Sequence, residues 1–177
     1  IGDDGAVIKW LGSSSLVVAT DTLVAGVHFP HDMEPGAIGY RSGAVNISDI
    51  AAMGALPKYA TLALTIPRAD EHWLSQFSNG LNEVFSEFGC SLVGGDTTKG
   101  PLAINLTLIG AVEGPCLKRC GCEDGDVVFV SGTLGDARGA LELLDSNELN
   151  VSGKYLRKRF EKPEARVRLG MSLLGHA

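Results

Sequence analysis

Four stretches place a carboxylate at the end of an apolar segment, and they define the chemistry open to this chain. They are Gly2-Asp3-Asp4-Gly5, Asp21 within Ala19–Phe29, Asn46-Ile47-Ser48-Asp49, and Gly94-Gly95-Asp96-Thr97-Thr98. Leu16-Val17-Val18 before Asp21 is rich in β-branched residues and reads as the end of a strand. In a regular strand Asp21 shares a face with Val17, Ala19 and Leu23. A carboxylate among apolar neighbours is costly unless a cation or hydrogen bonds compensate it. Any one of these acids could simply cap a turn. Together, with Thr and Asn beside them, they make a set of hard oxygen donors. Such donors suit Mg²⁺, which keeps some of its waters and is completed by substrate phosphates. Phosphoryl transfer needs charge neutralisation and positioning more than a covalent nucleophile. Spacing alone does not show that the four stretches meet in space.

Other chemistries are less well supported. The glycine-rich turn at Gly94–Gly100 lets backbone approach a ligand closely, but it is neither a Walker loop nor a Gly-x-Gly-x-x-Gly fingerprint. No Gly-x-Ser-x-Gly elbow is present for a hydrolase. His28 and His31 are separated by Pro30, which argues against a shared helix face; His28 lies on the same loop as Asp21, where it could meet an anionic substrate. Cys116, Cys120 and Cys122 crowd together without a usual zinc spacing, so with Cys90 they read as reduced cysteines of a cytoplasmic protein. A net charge of −6 argues against a broad nucleic-acid surface, and no apolar run approaches a membrane span. The 177 residues, 45% of them hydrophobic, allow one domain with a full core and part of another.

The elements that must position these residues follow from periodicity. Ala6–Trp10 reads as a short strand, Gly12–Ser15 as a turn, and Leu16 onward as a second strand. Ile38–Met53 reads as a helix with Pro35 in its first turn and Gly54 ending it. Ser42, Asn46, Asp49 and Met53 share one face of that helix, a polar stripe that favours a functional role over a solvated one. Tyr59–Ile66 and Leu102–Ile109 alternate as half-buried strands, and Asp70–Phe88 is an amphipathic helix whose Trp73, Phe77, Leu81, Val84 and Phe88 face the core. The outer faces of the two strands carry Thr61, Ala63, Thr65, Asn105 and Thr107, a mixture that suits sheet-on-sheet pairing. Glu113-Gly114-Pro115 breaks the pattern and marks a domain boundary. Beyond it come a strand at Val127–Val130, a helix around Ala137–Leu144, a basic segment at Lys154–Phe160 and a helix at Glu164–Leu174. A helix N-terminus after Ser131–Gly135 could hold an anion, although an ordinary strand-to-helix turn explains it equally.

Four motifs together resemble the thiamine-monophosphate kinase family. They are Ile1-Gly2-Asp3-Asp4, the run from Thr20 to Phe29 (Thr-Asp-Thr-Leu-Val-Ala-Gly-Val-His-Phe), the run from Ala44 to Gly54, and Gly94-Gly95-Asp96-Thr97-Thr98-Lys99-Gly100. The Asp-rich motifs are shared by a superfamily that includes aminoimidazole-ribonucleotide synthetase and selenophosphate synthetase; the Thr20–Phe29 run selects the kinase. The resemblance implies an α/β (α+β) fold. Residues 1–114 would form an ATP- and Mg²⁺-binding domain, with a four-stranded mixed sheet covered by helices on one face. That sheet would pair with a second subunit's in a homodimeric barrel, and residues 115–177 would begin a second α/β domain. It implies in-line phosphorylation of thiamine monophosphate by ATP, assisted by several Mg²⁺ ions, with no nucleic-acid or membrane partner. By position, Asp4, Thr20, Asp21, Asp49 and Asp96 match the metal set. His28 matches a thiamine-phosphate contact, and Gly95, Asp96 and Arg119 match nucleotide contacts. Ala19 departs from the Ser common in relatives, which removes a side-chain oxygen. The family's later Asp-Leu-Ser-Asp-Gly motif lies beyond the residues given. The chain therefore reads as a fragment, expected to be poorly active alone. The alternatives are a superfamily enzyme with another acceptor, a non-catalytic nucleotide-binding module, and a Mg²⁺-dependent phosphohydrolase.

Overall fold

The computed structural model describes residues 2–10, 14–143 and 150–176; Ile1, Gly12, Ser13 and Leu144, named above, lie outside them. Five strands and two long helices alternate through the first two thirds of the chain. They are β1 (Ala6–Lys9), β2 (Ser14–Val24), α1 (Pro35–Ala52), β3 (Leu56–Ile66), α2 (Glu71–Phe88), β4 (Ser91–Lys99) and β5 (Ala103–Glu113). Three shorter helices follow: α3 (Asp136–Leu141), α4 (Val151–Glu161) and α5 (Val167–Ser172). The sheet runs in the order β1-β2-β5-β3-β4, with one parallel pair, β3 with β4, and the rest antiparallel.

The sheet is therefore mixed, as expected, but five-stranded rather than four-stranded. Much of the difference in reading concerns β4, because Gly94–Gly100 looks like a loop. All nine residues of β4 are exposed, so there is no inward and outward alternation to betray a strand. The glycine pair instead serves the sheet. Gly95 sits at φ 152°, and a Cβ there would lie 1.8 Å from the Leu62 carbonyl oxygen. Only glycine lets the two backbones approach this closely while the parallel register shifts between Ala60 and Thr61.

β5 shows the opposite behaviour. Ile104, Leu106, Leu108, Gly110 and Val112 are buried, while the residues that alternate with them are half-exposed. This alternation packs one face of the sheet under α1 and leaves the other uncovered. On the uncovered face Thr20 and Thr107 share a hydroxyl hydrogen bond of 2.8 Å, and Asn105 Nδ2 donates to Thr22 Oγ1 at 2.7 Å.

The small residues of α1 let it lie against α2. A Cβ on Gly39 would meet the Phe77 carbonyl oxygen at 2.1 Å, and one on Gly80 the Gly36 oxygen at 1.9 Å. On α2 the Asp70 carboxylate caps the helix by accepting from Trp73 N–H, and Phe77, Leu81 and Val84 are buried as the heptad-like spacing expects.

The polar stripe on α1 divides. Ser42 and Asn46 are fully buried: Ser42 Oγ donates to the Ile38 carbonyl, and Asn46 Nδ2 donates to the Ser42 carbonyl. These bonds run along the helix itself, so Ser42 serves the core, whereas Asp49 and the unbonded Oδ1 of Asn46 are left for the acidic site.

Beyond Pro115 the expected strand at Val127–Val130 is absent. Among the described residues it pairs with no other strand, and Val128 and Phe129 are 89% and 88% exposed. Just before it, residues 123–126 make a turn in which the Asp126 carboxylate accepts from Glu123 N–H. α4 docks on α1 through Arg41, whose guanidinium donates to the Phe160 carbonyl and lies 4.2 Å from the Phe160 ring centroid. α5 packs against the end of α1, where Gly170 approaches the Ala51 carbonyl.

Candidate active site

The first three acids come from three different segments and converge beside β2. β1 pairs with β2 through Ala6↔Val18, and continuing that antiparallel register past the end of β1 sets Asp4 opposite Thr20. Asp21 lies on the face of β2 that buries Val17, Ala19 and Leu23, as the strand pattern requires, yet it is itself exposed. Asp49 reaches it from the last turns of α1.

Charge shows that they are neighbours. The Asp49 pKa is raised to about 6, first by burial, then by the charges of Asp21 and Asp4 and by a hydrogen bond with Asp21, while Arg119 opposes the rise. Two carboxylates sharing a hydrogen bond cannot both be ionised without a proton or a cation between them. Asn46, one turn before Asp49, is fully buried and its Oδ1 has no hydrogen-bond partner. This is a donor set of hard oxygens carrying excess negative charge, and it fits Mg²⁺.

As it stands the set is not closed. Asp4, Asp21 and Asp49 are neighbours, but as their side chains are turned here no three His, Cys, Asp or Glu among the described residues form a ready metal-binding group. Asp4 is engaged by the Arg119 guanidinium, and Asp3 Oδ1 accepts from Arg119 N–H at 2.7 Å. Asp4 in turn raises the Arg119 pKa. Thr20 turns to the open face of the sheet, onto Thr107. Ala19 is 4% exposed in the core, so the departure from Ser changes a side chain that faces the helices.

Asp96 does not join the other acids within one chain. It lies on β4 opposite Ala63, and β5 and β3 stand between β4 and β2. Three strand spacings make that separation about 14 Å.

His28 stands on the loop after β2. Gly26 N–H donates to the Phe29 carbonyl, Phe29 is buried, and Val24 N–H donates to His28 Nδ1 at 3.0 Å. With Nδ1 accepting, the neutral ring carries its proton on Nε2, and the residue is exposed. A cavity of about 370 Å³ opens near this loop, lined by Val24, His31, Ile66, Arg68, Trp73 and Leu102. A larger one of about 650 Å³ lies between α2 and α4. Neither is lined by an acid of the cluster, so the site is defined by charge convergence at an open edge and not by a closed pocket.

One participant has no sequence signal: Asp3 anchors Arg119, a contact across 116 residues that no local pattern announces. The unpartnered oxygen of Asn46, by contrast, lies on the polar stripe one turn before Asp49, where the sequence places it.

Comparison with known proteins fits this geometry. Residues 2–112 match the family described as AIR synthase related protein, N-terminal domain. The chain belongs to that family. It is 44% identical to the thiamine-monophosphate kinase of Escherichia coli K12 over 98% of its own length, which is 54% of the relative's. The Bacillus subtilis thiamine-monophosphate kinase is 38% identical over 96% of this chain and 55% of the relative. Among solved structures, one described as AaThiL complexed with AMPPCP and TMP matches with a TM-score of 0.93 and 36% identity, covering 98% of this chain and 57% of that one. A thiamine-monophosphate kinase from Stenotrophomonas maltophilia K279a matches with a TM-score of 0.87 and 43% identity, covering 98% and 58%. The chain thus spans about half the length of the relatives it matches. No helix among the described residues is long and apolar enough to cross a membrane.

Proposed function

We propose that this chain carries the nucleotide- and metal-binding half of a thiamine-monophosphate kinase, which transfers the γ-phosphoryl group of ATP to thiamine monophosphate. The carrying observation is the convergence of Asp4, Asp21 and Asp49, with Asp49 raised to about 6, in a chain 44% identical over nearly its full length to such a kinase. Residues 1–114 form the ATP-, metal- and dimer-forming unit, in keeping with the family match to residues 2–112, and 115–177 open a second α/β unit. The reaction takes place in the cytoplasm, where the exposed thiols of Cys120 and Cys122 stay reduced.

Asp4, Thr20, Asp21, Asp49 and Asp96 are the oxygen ligands for Mg²⁺. When bound, the metal neutralises charge on the transferring phosphoryl group and aligns it. The chain's own work is positional. The acids would hold the cation at the edge of β2; Gly95, Asp96 and Arg119 contact the nucleotide; His28 offers its Nε2–H to the thiamine phosphate. An acceptor phosphate oxygen then bonds to the γ-phosphorus in line as the β–γ bridging bond breaks, giving ADP and thiamine diphosphate. The acceptor oxygen is already anionic, so no strong general base is needed.

The protein acts as a homodimer. Among the described residues, the edge of β2 past Val18 has no paired strand, and β4 stands at the opposite end of the sheet with one side unpaired. Closing two such sheets into one barrel sets β4 of one copy beside β2 of the other, covers the Thr20–Thr107 face, and brings Asp96 to the partner copy's acid cluster.

The test is product formation from ATP, Mg²⁺ and thiamine monophosphate, with the protein in its longest expressed form. Thiamine diphosphate should appear, and Asp49→Asn should lower turnover at least about 100-fold. ADP formed only with another acceptor would keep the family and discard the kinase. ATP loss without any acceptor would indicate a phosphohydrolase, and nucleotide binding without turnover a non-catalytic module.

A further inference from the structure

The Arg119 contact joins two functions that the geometry keeps apart. Its backbone N–H is tethered to Asp3 Oδ1 at 2.7 Å, whereas its guanidinium lies on Asp4. The tether is independent of the side chain, so the guanidinium can leave Asp4 while the segment stays in place. The Asp4 and Arg119 side chains are 27% and 65% exposed, which leaves the ion pair open to exchange with solutes. Asp4 is also the cluster acid whose charge Arg119 takes up while Asp21 and Asp49 share a hydrogen bond.

We propose that Arg119 is a built-in counter-ion that occupies Asp4 in the nucleotide-free chain and must be displaced for a divalent cation to load. Loading the cation and releasing Arg119 are then a single exchange. The freed guanidinium, still held near the cluster through Asp3, becomes available to the nucleotide only after the cation has arrived. This order of events goes beyond a static nucleotide contact and rests on the metal site proposed above.

The exchange is tested on nucleotide-free protein by calorimetric titration with MgCl₂, comparing the wild type with Arg119→Gln and Arg119→Lys. Removing a competing, solvent-screened ion pair should tighten Mg²⁺ binding about two- to fivefold in Arg119→Gln. Arg119→Lys keeps the charge and should return the affinity to the wild-type value. A second readout is the side-chain Nε–H resonance of Arg119, which should move as Mg²⁺ is added and stay fixed in Asp4→Asn. Equal or weaker Mg²⁺ binding in Arg119→Gln would overturn the counter-ion role while leaving the metal site standing. Absence of Mg²⁺ binding in both wild type and Arg119→Gln would overturn the metal site and this inference with it. Thermal midpoints of the variants within a few degrees of wild type show that folding is not the cause.

Discussion

The two edges of the sheet carry the same functional group in opposite surroundings. At the β2 edge, Asp4, Asp21 and Asp49 crowd one another, with Arg119 balancing part of the charge. At the β4 edge, Asp96 stands on a strand whose nine residues are all exposed, and among the described residues its side chain makes no hydrogen bond or ion pair. One edge has more carboxylate charge than Arg119 balances; the other has a single carboxylate without neighbours. Within one chain β5 and β3 keep them apart. The difference teaches that a set of ligands read from motifs need not be a set within one chain.

The comparison can be broken at either edge. The largest structural effect is expected at β4. Gly95→Ala places a methyl group against the Leu62 carbonyl at a positive φ, and should destabilise the chain by about 2 kcal/mol in urea unfolding. No measurable loss would mean that β4 does not pair with β3 in this register.

A smaller effect is expected at β2. Asp49 is protonated more readily in the folded chain than its ordinary carboxylate value allows, so its contribution to stability is fully present at low pH and is lost as pH rises from about 4 to about 6. Asp49→Asn should therefore stabilise the metal-free protein near neutral pH. Discounted for its half-exposed position, the gain is about 1 kcal/mol, and it should vanish below pH of about 4. Thermal unfolding from pH 4 to 8 without Mg²⁺ measures it. A constant difference across that range would show that the raised carboxyl pKa, set by burial and by the charges of Asp21 and Asp4, is not the cause. The same substitution should abolish most turnover, so stability and activity move in opposite directions at this residue.

Much of this was legible from local signals. The cap at Asp70, the apolar stripe of α2 and the alternation of β5 each follow from a one-dimensional period, and each is where the pattern places it. The inner face of β2, with Asp21 in line with Val17, Ala19 and Leu23, was equally plain. β4 was not, because a strand exposed on every residue has no period, and paired glycines signal a turn. Val127–Val130 failed in the other direction: its composition is that of a strand, but a strand forms only where another offers it hydrogen bonds, and none of the described residues does so. The order of strands was also unreadable. Nothing in Gly94–Asp96 announces that two strands separate it from Asp21, and nothing in Leu117–Cys122 announces that Arg119 returns to Asp3 and Asp4.

The most direct test of the two-edge site is complementation between defective subunits. Asp49→Asn and Asp96→Asn proteins, each inactive alone, are mixed, unfolded and refolded together, and thiamine diphosphate formation is measured. If Asp96 serves the acid cluster of its partner copy, each mixed dimer has one intact site and one doubly defective site. Random pairing makes half of the dimers mixed, so activity should return to about a quarter of wild type. If the site lies within one chain, every site in the mixture carries a defect, and activity that stays at the level of the separate mutants would contradict the shared site.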